Sequence, residues 1–513
     1  MHHYLIKTMK IFPTSSIKEI DAYTIEHEPI ASLDLMERAA TALAEAIAER
    51  FPEKETPFVL FAGPGNNGGD ALAVTRLLAE KGYHPVAYLF NTKGKLSADC
   101  EANRDLLSGA TGIEFHEITT QFTPPLLTEE CVVIDGLFGS GLNKPLEGGF
   151  AKVVRYINAS PAYVIAIDIP SGLMGEDNSQ NLSDTIIRAN LTLSLQLPKL
   201  AFLFAENASY VGEWQLLDIG LSPQALEETY TDYRMMEREE VDYLLRPRKR
   251  FAHKGDFGRA LLVAGSQGMA GASVLAARSC LRSGVGLLTV HLPFCNNLIV
   301  QTAVPEAMTQ TDPSDTCFST VVDTDPYQAV AIGPGLGKSP ETEDALLAQI
   351  EECQVPMVLD ADALNLLAGH RNYLSRLPEG SILTPHPKEL ERLVGVCANS
   401  YERLSKAREL AHEARVYIVL KGAYSAIIYP DGRCYFNPTG NPGMARGGSG
   451  DILTGILLAL LAQGYPTEDA VRLGVFAHGL AGDIAARKQG EMGMTTGDIV
   501  SSLPLAWKML MEG

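Results

Sequence analysis

Between residues 32 and 50 the apolar side chains Leu35, Ala39, Ala42, Leu43, Ala46 and Ile47 recur every three or four positions, a spacing that predicts an amphipathic helix. The pattern then changes to short unbroken apolar runs, which suit strands buried on both faces. Residues 57–62 form the first such run and empty into Gly63-Pro64-Gly65-Asn66-Asn67-Gly68-Gly69-Asp70, ahead of a helical stretch over 71–81. Residues 131–135 and 163–168 repeat the scheme, leading into the loops 136–145 and 169–172. Strands linked through helices run parallel, so their carboxyl ends fall on one sheet edge, where such folds bind ligands. Residues 223–246 are charged and show no strand run, which places a linker at 226–240 between one domain at 1–225 and another at 241–513. Beyond it, runs at 258–264, 328–332, 356–360, 381–384 and 417–421 alternate with helical stretches, and each ends in a turn or an acid. No residue-level repeat joins the halves, so two dissimilar α/β domains are expected.

One stretch in the second half combines anion binding with a base. Asn441-Pro442-Gly443-Met444-Ala445-Arg446-Gly447-Gly448-Ser449-Gly450-Asp451 runs directly into the apolar helix beginning at Ile452. Free N–H groups at a helix start, backed by the positive end of its dipole, suit phosphate. Asp451 falls on the first turn, placed to take a proton from a substrate hydroxyl. Read alone, the same run is also compatible with a tight turn whose acid merely complements the dipole. Lys421 and Gly422 at a strand end are placed to approach ribose or phosphate, or to be solvated. His386, between Pro385 and Pro387, is held in a rigid loop; Asp360 and Asp362 either order water around magnesium or cap the following helix, and capping is the expected role. In the first half, three strand ends deliver Asn66, Asn67, Asp70, Asp135, Asp168 and Ser171 to one edge.

In these motifs the sequence resembles the bifunctional NAD(P)H-hydrate repair family. Residues from about 10 to 220 are similar to a Rossmann-like, three-layer NAD(P)H-hydrate epimerase domain. Residues from about 245 to 505 resemble an ADP/ATP-dependent NAD(P)H-hydrate dehydratase domain, a ribokinase-like α/β fold. For the epimerase, the resemblance implies substrate contacts from Asn66, Asn67, Gly68, Gly69 and Asp70, from Gly139, Ser140, Gly141, Leu142, Asn143, Lys144 and Pro145, and from a catalytic Asp168. It also implies potassium on Asn67, Asp135 and Ser171, an oxygen-only set with one charge that suits a hard, weakly charged cation. For the dehydratase it implies hydrate contacts from Ala272, Gly335, Gly337, His386 and a catalytic Asp451. Nucleotide contacts are implied for Lys421, Gly422, Ala423, Tyr424 and Ser425, and for Asn441, Gly443, Met444, Ala445, Gly447, Gly448, Ser449 and Gly450, with Mg2+ accompanying ADP or ATP. Arg446 and Ala71 depart from the family pattern, which has a small or hydroxyl residue and a glycine there.

Bulk properties narrow the partners. A net charge of −20, from 42 basic and 62 acidic residues, argues against nucleic acid or an anionic membrane surface. Eight scattered cysteines without a C-x-x-C pair read as reduced thiols, and no apolar run of membrane-spanning length is present, so a cytoplasmic homo-oligomer handling small nucleotides is expected. Two rival readings stay open. A vitamin-precursor kinase would share the Gly-rich run and Asp451, and the first domain could be a binding module without catalysis.

Overall fold

The computed structural model describes residues 9–107 and 112–512. Two compact units divide between Thr231 and Asp232. The stretch 226–240 is structured throughout most of its length: the helix Pro223–Glu228 ends in it, and a strand (β8, Tyr233–Met235) and the helix Arg238–Asp242 follow. The absence of a strand run there was a misreading, because a three-residue strand between charged neighbours has no periodicity to detect.

The first unit holds a seven-stranded sheet of β1 (Phe58–Ala62), β2 (Val86–Phe90), β3 (Glu114–Ile118), β4 (Val132–Gly136), β5 (Tyr163–Ile167), β6 (Leu191–Leu195) and β7 (Glu213–Leu217). Their order is β3-β2-β1-β4-β5-β6-β7 and every pairing is parallel. Successive residues of β1 serve opposite faces. After the first helix, Thr14–His27 (α1), come Ser32–Arg50 (α2) and Asn66–Glu80 (α3), with which Leu60 and Ala62 pack, whereas Val59 and Phe61 pack with Val153, Val154 and Ile157 of the helix Gly148–Asn158. Burial on both faces contributes about 1.5–3 kcal/mol per large apolar side chain, and explains the unbroken runs in the sequence. The chain order reverses at β1 and β4, leaving a crevice at their carboxyl ends.

The second unit's sheet runs β8-β17-β16-β15-β14-β13-β12-β9-β10-β11. Its strands are β9 (Arg259–Val263), β10 (Leu287–Pro293), β11 (Met308–Asp312), β12 (Ala329–Ile332), β13 (Met357–Leu359), β14 (Ile382–Leu383), β15 (Tyr417–Leu420), β16 (Ala426–Ile428) and β17 (Cys434–Phe436). From β9 to β15 the strands are parallel; β16 and β17 add an antiparallel hairpin. The helix Ser449–Ala462 is buried at every position from Ile452 to Ala462. It lies against the helix Ala270–Arg282, so close that a Cβ on Gly455 would stand 2.1 Å from the Ala276 carbonyl oxygen. A helix apolar all round belongs in a core, and this one is fixed there with only its N-terminus reaching a cavity.

Candidate functional site

In the first unit, close backbone contact assembles the crevice. A Cβ on Gly68 would lie 1.8 Å from the Gly63 carbonyl oxygen, and one on Gly63 would lie 1.7 Å from that of Leu137. Glycine is therefore required at both positions, and the first strand–helix turn abuts the loop after β4. Residues Asn66 to Gly69 form the first turn of α3, capped by Gly65, and Asp70 follows them. Gly139 lies against the Asn67 side chain, 3.1 Å from its Oδ1 for an added Cβ. The following segment, Ser140 to Pro145, forms a partly exposed rim turned at the Leu142 N–H to Gly139 carbonyl bond of 3.2 Å.

Asp135 is fully buried at the end of β4. Its Oδ2 accepts the Ser171 N–H at 2.8 Å, and its Oδ1 accepts the Ser171 hydroxyl at 2.7 Å and the Leu137 N–H at 3.2 Å. Burial pushes this carboxyl up to about 6 against the pull of those bonds. Asn67 is buried, and among the described residues its Nδ2 has no hydrogen-bond partner. Asp168 follows β5 with φ +64° and meets Lys199 Nζ at 2.5 Å. Asp70 is pushed well above the ordinary carboxylate range by burial and by the charges of Asp168, Asp21 and Asp99. Lys199 and Asp21 escaped the sequence reading, since neither sits in a Gly-rich loop or at a strand end.

In the second unit an open cavity of about 830 Å³ is lined by His386, by Lys421 to Ser425, by Asn441, Pro442, Met444, Ala445 and Arg446, and by Ser449, Gly450 and Asp451. Gly448 caps the helix Ser449–Ala462 in the left-handed region at φ +94°. The Ser449 N–H turns back to the Arg446 carbonyl at 3.3 Å, and that of Ile452 to Gly448 at 3.2 Å. Among the described residues the N–H groups of Gly447, Gly448, Gly450 and Asp451 find no acceptor within the chain. Unpaired amides at a helix start form an anion site.

Asp451 stands on that first turn with its carboxyl pushed up to about 6, chiefly by burial and then by Asp360. Asp360 is 1% exposed; its Oδ1 accepts from Lys421 Nζ at 2.6 Å and its Oδ2 from the Thr454 hydroxyl at 2.8 Å. Burial would raise Asp360, but the Lys421 charge and the hydrogen bonds outweigh it and hold the carboxyl below the ordinary range. Gly450 makes this arrangement possible, because a Cβ there would sit 2.9 Å from Lys421 Nζ. Neither acid has the expected capping role: Asp360 pairs with Lys421, and Asp362 accepts the Gly337 N–H at 3.0 Å. The cap position belongs to Ala361, held at φ +50°.

His386 does cap a helix, Pro387–Val394, with Nδ1 accepting from the Lys388 N–H at 3.1 Å and the Glu389 N–H at 3.4 Å. Nδ1 as acceptor leaves the proton on Nε2, which lies 3.2 Å from Glu389 Oε1. Glu389 and His478 also line the cavity; burial lowers His478 to about 4, so its ring is neutral. Both escaped the sequence reading, lying inside helices without a motif. Arg446 is turned onto the protein, donating to the carbonyls of Gly443 at 3.1 Å, Glu491 at 3.2 Å and Met492 at 2.6 Å. Ala272, Gly335 and Gly337 lie outside this cavity. Ala272 and Gly335 face each other, an added Cβ on Gly335 falling 3.0 Å from that of Ala272, and Gly337 lines a separate depression with Ser266 and Lys338. Gly443 is buried beneath the loop against Met494.

Comparison with known proteins matches residues 260–505 to a family described as NAD(P)H-hydrate dehydratase and residues 32–201 to one described as YjeF-related protein N-terminus. The bifunctional NAD(P)H-hydrate repair enzyme Nnr of Thermofilum pendens is 37% identical, covering 98% of this chain and 97% of its own. The enzyme of the same name from Moorella thermoacetica is 34% identical, with 98% of each chain covered. A ribokinase-like superfamily protein of Enterococcus faecalis, solved as a crystal structure, superposes with a TM-score of 0.50 at 26% identity, over 56% of this chain and 99% of its own. With similarity of this degree running through both units, the chain belongs to the bifunctional NAD(P)H-hydrate repair enzymes.

Proposed function

We propose that the first unit interconverts the R and S epimers of hydrated NADH or NADPH, and that the second dehydrates the S form with consumption of ADP or ATP. The observation that carries the second activity is that Asp451 and the unpartnered helix-start amides of Gly450 and Asp451 line one cavity, with those of Gly447 and Gly448 just before them in the chain. The amides Gly447, Gly448, Gly450 and Asp451 receive the charge of the transferred phosphoryl group. Asp451 takes the proton of the 6-hydroxyl as that oxygen attacks the terminal phosphorus and the bond to the departing nucleotide breaks. A carboxyl raised to about 6 is a stronger base than an ordinary aspartate and still ionised at neutral pH. The resulting phosphate ester leaves as inorganic phosphate while the ring nitrogen lone pair forms a C=N bond; loss of the C5 proton restores the C5–C6 double bond. Lys421 to Ser425 and Asn441 to Ala445 hold the nucleotide, which brings Mg2+ with it, and His386 presents its Nε2 side to the nicotinamide. The hydrate extends toward Ala272, Gly335 and Gly337.

For the first unit, Asn66 to Asp70 and Gly139 to Pro145 hold the hydrate beside Asp168. The donors at Asn67, Asp135 and Ser171 fit potassium: all offer oxygen, one carries charge, and Asn67 has a buried amide, its nitrogen unpaired among the described residues, whose oxygen can serve a cation. Bound there, the ion would supply fixed positive charge beside the substrate.

The test uses hydrated NADH with the full chain. Near-ultraviolet absorbance of dihydronicotinamide should return when ADP or ATP with Mg2+ is added, without a stable phosphorylated product. Asp451→Asn should abolish that return and leave epimer exchange, followed by NMR, intact. Loss of both activities together would refute the division of labour, and accumulation of a stable phosphoester would indicate a kinase.

A further inference from the structure

Among the described residues, the most deeply buried cation of the first unit is one that none of the sequence motifs includes. Lys199, after β6, is 1% exposed, and its ammonium has three acceptors: Asp168 Oδ1 at 2.5 Å, Ser194 Oγ at 3.0 Å and the Leu197 carbonyl at 3.1 Å. Asp168 Oδ1 also accepts the Leu195 N–H at 3.2 Å, while Oδ2 takes no donor among the described residues. The backbone of Asp168 is in the left-handed region, unusual for a residue with a side chain, so two features fix where this carboxylate stands. Beyond burial, the charge of Asp168 raises the carboxyls of two further acids, Asp21 from the helix Thr14–His27 and Asp70 from α3. The Lys199 charge reaches Asp21 as well, but the ammonium is seated on Asp168.

We propose that Lys199 is a positioning residue of the epimerase site. It pins Oδ1 of Asp168 and holds the negative charge there, so that Oδ2 alone is presented to the hydrate. A lysine without an anionic partner would not remain in such a site, and an Asp168 without the cation would share its charge with Asp21 and Asp70. The inference rests on the epimerase reading above and names the group that makes Asp168 competent.

Lys199→Met and Lys199→Gln in the full chain test it. Met removes charge and donor; Gln keeps a donor and removes the charge. Dehydration of the purified S hydrate by the second unit reports that the chain is intact, and thermal melting reports the fold of the first. Epimerisation kcat should fall on the order of 100-fold in Lys199→Met, with KM changed less than threefold. In Lys199→Gln the loss should be smaller, and in both the acid limb of the epimerisation pH profile should move to higher pH. A purely structural lysine would lower the amount of active enzyme without moving that limb. Unchanged kcat and an unmoved limb in folded variants overturn the proposal. Should neither fold, Ser194→Ala removes one acceptor of the ammonium and should lower kcat severalfold, with an unchanged kcat overturning it. Wild-type protein that fails to exchange epimers at all would instead reject the epimerase reading itself.

Discussion

Replacing Asp451 by Asn should stabilise the second unit while ending its chemistry. The carboxyl rises from an ordinary 3.8 to about 6 on folding, which at 1.36 kcal/mol per unit makes its ionised form cost about 3 kcal/mol at neutral pH. The sign follows from the direction: a carboxyl raised by folding favours the folded state below its unfolded value and opposes it once pH passes its folded value. Asn is close to isosteric with the protonated acid and avoids the cost. The variant should therefore unfold at higher denaturant at pH 8, by about 3 kcal/mol, or roughly 6–10 °C in melting temperature for a unit of this size. The gain should shrink between pH 6 and 4 and vanish below 3.8, while wild-type dehydration falls as pH drops through about 6 in kcat/KM. Denaturant melts across that range, beside the absorbance assay for restored dihydronicotinamide, measure both. A variant no more stable than wild type at pH 8 would mean that Asp451 is neither desolvated nor opposed by Asp360, and the argument for its basicity would fall with it.

Other outcomes follow from single contacts. Asp360→Ala leaves Lys421 half enclosed without its partner and should destabilise the second unit by about 3 kcal/mol in denaturant melts at pH 7. Because folding lowers the Asp360 carboxyl, that difference should be present above pH 3.8 and shrink as pH falls below it. Gly455→Ala forces a methyl to within 2.1 Å of the Ala276 carbonyl oxygen and should cost about 3 kcal/mol, read as a fall in melting temperature. Arg446→Ala frees the Gly-rich loop from the Glu491 and Met492 carbonyls and should raise the nucleotide KM severalfold with little change in stability, measured by titrating ADP and ATP. Exchanging K+ for choline should slow epimerisation at least tenfold and leave dehydration of the S form unchanged.

The sequence disclosed those elements whose burial is two-sided and those turns that only glycine permits. β1, β4 and β5 were legible because both faces meet helices, and the 441–451 run because its glycines and the acid follow one another in the chain. β3, Glu114–Ile118, was not, since an edge strand with half-exposed Glu and His shows no apolar run. β6 escaped for the opposite reason. It is buried, but Thr192 and Ser194 interrupt it, made tolerable by hydroxyl bonds to the Val211 and Leu197 carbonyls at 2.7 and 2.9 Å. The partners of the site acids were hidden because they come from distant positions: Lys421 reaches Asp360 across 61 residues and Lys199 reaches Asp168 across 31.

Those two ion pairs reveal a shared electrostatic device in unrelated sheets. In each unit a buried aspartate beyond a strand end takes a lysine from beyond a later strand, at 2.5 and 2.6 Å, and a second aspartate near the start of a helix feels the first one's charge. The lysine is committed to the first acid, so the second feels burial and a like charge, which Lys421 offsets in part at Asp451. Asp70 and Asp451 are both raised as a result, by burial first and by Asp168 or Asp360 next. An exposed pair could not do this, because solvent would screen the repulsion to a fraction of a kcal/mol. In the second unit, where Asp360 is the deeper acid, seating the cation there thus leaves Asp451, at the start of a helix with unpaired amides, with a carboxyl whose protonation responds to what binds beside it.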